Sequence, residues 1–320
     1  MNLRQVGFIV CASLISAESF AMEFAAERSR VALFSFGAGN LPKPDTNTLI
    51  SGYLYNDWDR LTDSHNNRRA NFERIDAQVR GATLGYLRVT NQKILGADYA
   101  WGGVLPYLDV RINHTIKTSN GVKPIQGTDD GLVGLVLTPL ILEWRKPEKQ
   151  LFQNVRLNIG IPIGHYDDDN PANVTKDFYS AEVIYQATYN FLTTWEFSGG
   201  LSYQYNFRNQ HDLHPTVSGP AGEYKNGDIL VMNAAVGKKI GNLTLGVGGY
   251  WQEQLSEDKI LGSPEFDGFQ LRTLGLGPMM SYRFASLKKP AILHAKFSKG
   301  LYSKDGVTGD FVSVFLTYPF

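Results

Sequence analysis

The sequence predicts an all-β protein, a transmembrane antiparallel up-and-down β-barrel of about twelve strands. Three observations favour this fold: an export-type N-terminus, many long stretches in which polar and apolar residues alternate, and a C-terminal phenylalanine. Composition agrees, because charged residues make up only 19% of the 320 residues, while 32 are glycine and 12% are aromatic. Such a chain is unlike a disordered one and suits strands joined by tight turns.

The N-terminus has the pattern of a signal peptide. A short cationic start with Arg4 precedes an apolar core from Val6 to Ile15, and small residues at Ser19 and Ala21 predict cleavage before Met22. The apolar core is too short for a spanning helix, which needs about 20 apolar residues. We therefore predict a signal peptide at 1–21, a segment at 22–48 before the first strand, and a barrel at 49–320.

The only cysteine is Cys11, inside the predicted signal peptide. The mature chain would then have no disulfide, no cysteine-based zinc site and no cysteine nucleophile. Basic and acidic residues balance at 31 each, so charge does not indicate a nucleic-acid partner. These features leave a membrane barrel or a soluble β protein as the classes to separate.

The alternation of polar and apolar residues distinguishes a membrane barrel from a soluble β protein. From Glu196 to Arg208, aromatic and small apolar residues occupy one parity and polar residues the other. Similar stretches cover 154–163 and 179–189. Globular strands are usually about 5–6 residues long, whereas a tilted strand needs about 9–11 residues to cross a bilayer. The long alternating stretches favour a membrane barrel.

The links between predicted strands alternate between short and long, as they do in barrels with short periplasmic turns and longer outer loops. Short links are expected at 90–93, 146–149, 191–192 and 241–242, and long polar links at 61–72, 118–127, 165–176, 210–225 and 256–265. The predicted strands cover 49–60, 73–90, 93–117, 128–146, 150–164, 177–190, 193–209, 226–240, 243–255, 266–284, 290–303 and 310–320.

The C-terminus is the most specific local feature. Phe320 is the last residue, and Tyr318, Leu316, Val314 and Val312 share its parity. A soluble strand that ended in this way would leave apolar area in water. In lipid every strand edge must be paired, so the last strand should pair with the first. The even residues should face lipid, and Phe311, Ser313, Phe315 and Thr317 should face the lumen.

The polar sides of the strands predict the lumen lining. Two interpretations stay open: a network of ion pairs that stiffens a narrow barrel, which we favour for most members, or a path for solute. The candidate path residues are Arg80, Asp109, Arg111, Arg156, Glu182, Glu196, Gln204, Arg208, His294, Lys296, Phe311 and Phe315.

No catalytic or cofactor motif is present: the chain has no Gly-x-Ser-x-Gly, no phosphate-binding loop and no His-Glu-x-x-His. His211 and His214 could approach a metal ion, but a solvated loop is the favoured interpretation and no metal site is predicted. His294 shares parity with Lys296 and Ser298, which turns it to the lumen and argues against catalysis on lipid. We expect no enzyme activity and no cofactor.

Four stretches resemble a known family, the meta-pathway phenol-degradation-like outer-membrane transporters. They are Ile94–Tyr99 with Leu105-Pro106, Asp129-Asp130 leading to Pro139–Trp144, Ile159–Asp167, and Gly248–Gln254 with Asp258. The resemblance implies a barrel of about twelve strands in the bacterial outer membrane and passive uptake of small hydrophobic or aromatic compounds. The alternatives are a lipid-modifying enzyme and a structural or adhesive barrel that acts through its outer loops.

The expected partners are outer-membrane lipids and lipopolysaccharide, a small hydrophobic or aromatic solute, and the barrel-assembly machinery, which would recognise the Phe320 terminus. Residues 22–48 are expected to be either a periplasmic tail or a plug that enters the lumen. The apolar stretch from Val31 to Pro44, which precedes the first strand, motivates the plug hypothesis.

Overall fold

A computed structural model describes residues 34–118, 121–167, 170, 172–175, 177–210, 224–260, 270–287 and 289–320. The predicted signal peptide and the His211 and His214 pair lie outside these residues. Among the described residues, no helix has the length and apolar character needed to cross a membrane.

Twelve strands form one closed antiparallel barrel. In chain order they are β1 (Thr46–Leu61), β2 (Ala77–Ile94), β3 (Ala97–Thr118), β4 (Leu135–Lys146), β5 (Leu151–Ile161), β6 (Phe178–Phe191), β7 (Trp195–Asn209), β8 (Ile229–Ile240), β9 (Leu243–Gln254), β10 (Arg272–Phe284), β11 (Ala291–Lys304) and β12 (Val307–Pro319). Each strand pairs with its neighbours in sequence, and β1 pairs with β12, which closes the barrel.

The closing seam agrees with the prediction from the C-terminus. Leu54 lies opposite Ser313, and the pairing runs along most of both strands. Phe320 and Asn47 exchange two backbone hydrogen bonds of 2.8 and 3.3 Å. Phe311 and Phe315 are buried on the inside, whereas Val312, Val314 and Tyr318 are exposed. The sequence therefore assigned the faces of β12 correctly.

The links alternate in length as predicted. The end of the barrel that has the short links carries a 3₁₀ turn at Pro147–Lys149 and a two-residue turn at Gly241-Asn242. The first short link was placed wrongly at 90–93, because β2 continues to Ile94 and the chain turns at Leu95-Gly96. Both turn residues have positive φ, +52° and +75°, a conformation that two-residue hairpins require and glycine adopts easily.

The predicted strand at 128–146 is divided in two. One strand, Gly121–Leu132, pairs with the distal half of β3 and begins within the long link predicted at 118–127, so that prediction is wrong; the other strand is β4. Three further short strands lie in the long links: Phe72–Arg74, Tyr224–Lys225 and Lys259–Ile260.

The outside of the barrel is apolar. Large hydrophobic side chains are exposed on nearly every strand, which is costly in water and favourable in lipid. They include Tyr53, Leu84, Trp101, Val183, Phe197, Leu201, Tyr203, Val247, Leu276, Leu301 and Val314.

Candidate functional site: the barrel lumen

The barrel encloses a cavity of about 750 Å³. Apolar side chains from many strands line one part of it, among them Ile50, Leu87, Val104, Ile141, Ile184, Val231, Ile292 and Phe315. A volume of this size is typical of sites for small molecules, which fall between about 300 and 1,000 Å³. The lumen therefore offers a largely apolar space inside a membrane barrel.

The segment from Phe34 to Asp45 forms the opposite boundary of this cavity, because it lies inside the barrel before β1 begins. Phe34, Phe36 and Leu41 are each less than a tenth exposed. Phe36 packs with Phe34 against Ala235 and Met279 of the wall. The apolar side chains of the segment are thus buried against the inner face of the barrel.

Wall side chains bind the backbone of this segment. Gly37 N donates to Glu196 Oε1 at 2.5 Å, Gly39 N donates to Thr188 Oγ1 at 2.9 Å, and Leu41 N donates to Glu143 Oε1 at 3.0 Å. These acceptors lie on β4, β6 and β7. Since an unpaired backbone N–H in a buried place is costly, the contacts hold the segment to one side of the lumen.

Donors from the wall complete the attachment. Asn154 Nδ2 donates to the carbonyl of Ala38 at 3.0 Å, and an Arg145 guanidinium nitrogen donates to the carbonyl of Pro42 at 2.6 Å. Lys296 Nζ reaches the carbonyl of Phe34 from β11 at 3.3 Å. The segment is therefore tied to two well-separated parts of the wall.

An aromatic strip lies on β11 and β12. The His294 imidazole stacks on Phe315 with ring centroids 4.5 Å apart and planes 21° apart. Ser281 Oγ lies 2.7 Å from His294 Nδ1. Lys296 Nζ lies 5.4 Å from the ring centroid of Phe311. Two flat apolar rings and their polar neighbours thus face the interior together.

A polar group lies across the lumen on β5 and β6. Arg156 donates to Asn154 Oδ1 at 2.9 Å, and Asn158 donates to Glu182 Oε2 at 2.8 Å. Glu143 forms an ion pair with Arg145 at 2.5 Å. The structure places Arg156, Glu182, Glu196 and Gln204 on the inner wall, where the alternation predicted them. Most of the described polar side chains here have partners within the wall.

Three buried polar atoms on the cavity wall have no hydrogen-bond partner among the described residues. One is the hydroxyl oxygen Thr48 Oγ1 on β1, and the other two are the amide oxygens Gln186 Oε1 on β6 and Asn233 Oδ1 on β8. A buried acceptor without a partner costs about 1–3 kcal/mol. All three can accept a hydrogen bond from a molecule in the cavity. None of the three residues was among the predicted lumen residues, although Gln186 shares parity with Glu182.

Near the end of the barrel with the long links, apolar side chains fill the interior beside β1, β2 and β3. Trp58, Val79 and Val110 are completely buried there, within a larger apolar core. Val174, from the link between β5 and β6, packs into this core, and its N–H donates to Asp129 Oδ2 at 2.8 Å. The link is thus folded inward over this side of the barrel mouth.

Three predicted lumen residues lie on the outer face instead. Arg80 and Arg111 are exposed, and Arg80 is directly opposite Asp109 in the pairing of β2 with β3. Arg111 Nε lies 3.4 Å from Asp109 Oδ1. Tyr107, on the same face of β3, is 44% exposed. The prediction that Arg80, Asp109 and Arg111 line the lumen is therefore wrong.

The apolar core explains this error. Val79 and Val110, the residues next to Arg80 and Asp109, point into the core, so here the apolar side of each strand is the inner one. β3 also continues beyond its pairing with β4, with the strand at 121–132 as its partner, and Arg111 on its outer face is exposed. Alternation with polar residues inside and apolar residues outside is expected only where lipid covers the outside of the barrel.

Arg208 is also misplaced by the sequence analysis. Phe178 pairs with Asn209, but Ser180 pairs with Asn206, so β7 has one extra residue near its end. The bulge leaves both Phe207 and Arg208 exposed and turns Asn209 inward. The prediction that Arg208 lines the lumen is wrong because a bulge reverses the parity of every residue beyond it.

No group of three or more His, Cys, Asp or Glu side chains suited to a metal ion occurs in the part of the chain that the structure describes.

Closure, an apolar exterior and short turns at one end define a bacterial outer-membrane β-barrel. A family model described as "Putative MetA-pathway of phenol degradation" matches residues 58–314. The chain belongs to that family. A comparison with curated proteins finds no match.

Solved structures share the fold at low identity. The chain is similar to an outer-membrane channel from Pseudomonas putida F1, with a TM-score of 0.72 and 12% identity over 90% of this chain and 100% of that one. It is also similar to the β domain of the Bordetella autotransporter BrkA, with a TM-score of 0.50 and 12% identity over 86% and 100%. The translocator domain of NalP from Neisseria meningitidis matches with a TM-score of 0.50 and 11% identity over 96% and 99%.

Proposed function

We propose that the protein is an outer-membrane channel for the passive uptake of small hydrophobic or aromatic compounds. The observation that carries the proposal is the largely apolar cavity between the segment at 34–45 and the strip formed by His294 and Phe315. Its volume of about 750 Å³ accommodates a molecule of a few rings or a short chain. No described feature suggests coupling to an energy source, so the solute would move down its gradient.

Selectivity would come from contacts along the wall. Aromatic rings gain about 0.5–1.5 kcal/mol from stacking beyond the burial of their surface, and Phe315 with His294 offers such a surface. Gln186 Oε1 and Asn233 Oδ1 can accept hydrogen bonds from a solute that carries a hydroxyl or amino group. The cavity thus suits an apolar body with one or two polar substituents.

We also propose that residues 34–45 act as a plug. The hydrogen bonds that backbone N–H groups of the segment donate to Glu196, Thr188 and Glu143 support this role, since they hold it against the inner wall of the lumen. The plug would restrict hydrophilic solutes and ions while it forms one wall of the apolar cavity.

The remaining partners are also proposals. The exposed apolar side chains of the barrel wall would contact lipid, and the terminal Phe320, 48% exposed, would be read by the barrel-assembly machinery. Balanced charge gives no basis for nucleic-acid binding.

One observation favours the alternative of a lipid-modifying enzyme: Ser281 Oγ lies 2.7 Å from His294 Nδ1. The pair faces the lumen, however, and the imidazole is stacked on Phe315, so lipid in the bilayer does not reach it. We propose that the protein is not an enzyme. Esterase activity of the purified barrel that disappears in Ser281→Ala would contradict this.

Uptake by intact cells tests the proposed function, because the lipopolysaccharide leaflet slows hydrophobic solutes that would cross a simple vesicle unaided. A strain that lacks the protein should take up a ring-labelled aromatic compound more slowly than the strain complemented with it. Arabinose uptake through other porins is the control and should not change. Equal aromatic uptake by the two strains would overturn the proposal.

A further inference from the structure

We infer that the outer rim of the barrel beside β7 carries a binding site for the phosphate groups of lipopolysaccharide, centred on Lys225 and Lys259. This site is on the outside of the barrel and does not depend on what passes through the lumen.

The two lysines form a like-charge pair. Tyr224–Lys225 and Lys259–Ile260, from two different long links, pair as short antiparallel strands in which Lys225 lies directly opposite Lys259. Residues directly opposite each other point to the same face, and like charges in that position are destabilising. Within the described residues, neither lysine forms an ion pair with a carboxylate. The pair therefore presents two positive charges on one small face.

The interior side of this small sheet fixes its orientation. Tyr224 is completely buried, as is Asp258, which precedes Lys259. Asp258 Oδ1 accepts hydrogen bonds from Gly227 N at 2.9 Å and Gln254 Nε2 at 2.6 Å. Because side chains alternate along a strand, burial of Tyr224 and Asp258 turns the two lysines outward.

Contacts with the barrel wall place Lys225 at the level of the lipid headgroups. Its Nζ lies 4.3 Å from the ring centroid of Tyr205 and 3.3 Å from the Tyr205 hydroxyl oxygen. Tyr205 is on the lipid-facing side of β7 between Tyr203 and Phe207, all of which are exposed. Aromatic girdles of this kind mark the boundary between hydrocarbon and headgroups. The cation–π contact thus holds the ammonium where an outer-leaflet headgroup begins.

Charged side chains of both signs lie near the two lysines, since exposed Glu257 is two residues before Lys259. The bulge in β7 turns Arg208 outward on the same rim. The closest carboxylate in the sequence after Lys225 is Asp228, which accepts a hydrogen bond from the Tyr203 hydroxyl at 2.7 Å. Lysine and arginine bind phosphate as charged donors, and the outer leaflet of this membrane presents the phosphates of lipid A at this depth. Lipid A is therefore the occupant that the site fits.

The test measures retention of bisphosphorylated lipid A by the full-length barrel in detergent, by native mass spectrometry and by titration. The variant K225A/K259A should bind lipid A more weakly, by about fivefold for each lysine. K225R/K259R should bind as the unmodified protein does. The control K117A/K123A removes the same charge from the tip of the strand pair formed by β3 and 121–132, away from the girdle, and should have no effect.

Removal of the phosphates from lipid A should abolish the difference between K225A/K259A and the unmodified barrel. The heat-induced mobility shift on gels reports whether each variant is folded. Equal binding by folded K225A/K259A and the unmodified protein would overturn the inference. So would an equal loss in the control variant, or equal retention of lipid A with and without phosphates.

Discussion

The His294 imidazole and the Phe315 ring stack across adjacent strands, with centroids 4.5 Å apart, on the inner wall of the barrel. His294 is directly opposite Phe315 in the pairing of β11 with β12. Both side chains face the cavity, so β11 and β12 supply it with a flat aromatic surface.

Removal of this surface should weaken selection for aromatic solutes. In Phe315→Ala, half-saturation of aromatic uptake should rise about three- to tenfold, since stacking contributes about 0.5–1.5 kcal/mol. The matched control is Val314→Ala, which removes an exposed apolar side chain from the outer face of the same strand. An unchanged half-saturation concentration in Phe315→Ala would show that solutes do not use this strip.

A methyl group at Gly39 should displace the segment at 34–45. A Cβ at this position would collide with the backbone of Phe152 and Thr188, and neither can move without breaking strand pairing. The hydrogen bonds to the wall, each worth about 1 kcal/mol, would be lost with it. Single-channel conductance in planar bilayers should rise in Gly39→Ala.

Deletion of residues 23–44 should raise conductance at least as much as Gly39→Ala does. Asn40→Ala changes an exposed neighbour and serves as the control, with conductance as in the unmodified protein. If conductance stays the same in both Gly39→Ala and the deletion, residues 34–45 do not restrict the lumen.

Deletion of Phe320 should impair assembly of the barrel. The residue makes two backbone hydrogen bonds with Asn47 at the seam and carries the terminal aromatic ring. The yield of heat-modifiable barrel in the outer membrane should fall several-fold. Phe320→Tyr keeps both the ring and the seam bonds and should assemble normally. Normal yield after the deletion would refute a role for the terminus in assembly.

The contact between Asp258 and the link at 224–228 should weaken as pH rises, because the Asp258 carboxyl then loses its proton. Burial raises the pKa of this carboxyl from 3.8 to about 7, despite hydrogen bonds that favour the charged form. A carboxyl whose folded pKa lies above the unfolded value stabilises the closed form fully below about pH 4, and this contribution is lost as pH rises to about 7. Hydrogen-exchange protection at 224–228 should therefore fall up to about tenfold per pH unit in this window.

Asp258→Asn keeps the shape of the side chain and removes its charge, so protection at 224–228 should depend much less on pH once intrinsic exchange is corrected. Exposed Glu257 offers the matched control, since Glu257→Gln should retain the pH dependence of the unmodified protein. A pH profile that is the same in Asp258→Asn and the unmodified protein would contradict the assignment.

The sequence was most informative where lipid covers the barrel wall. On β12, alternation alone placed Phe311 and Phe315 inside, because outward residues must be apolar in a bilayer. It failed at Arg80 and Asp109, where an apolar core that includes Val79 and Val110 fills the interior. It failed at Arg208 because a single extra residue changes parity without a recognisable sequence pattern.

The attachment of the segment at 34–45 to the barrel wall could not be predicted from the sequence, for a different reason. Glu196, Thr188 and Glu143 bind backbone N–H groups, which every residue other than proline possesses, so residue types do not reveal the partners. Alternation and link lengths predicted the fold, and the family resemblance implied the class of solute. The position of the cavity required the contacts themselves.

Solute is proposed to pass through the cavity. A reversible block at Ile184→Cys, a position on the cavity wall, tests this proposal most directly, because the only native cysteine is Cys11 in the predicted signal peptide. Cells are treated with a methanethiosulfonate reagent, and uptake of a labelled aromatic compound is measured before and after reduction. Val183→Cys, on the adjacent outward position and 51% exposed, is the control. The account predicts that labelling slows uptake in Ile184→Cys, that reduction restores it, and that Val183→Cys is unaffected; full uptake by quantitatively labelled Ile184→Cys would contradict it.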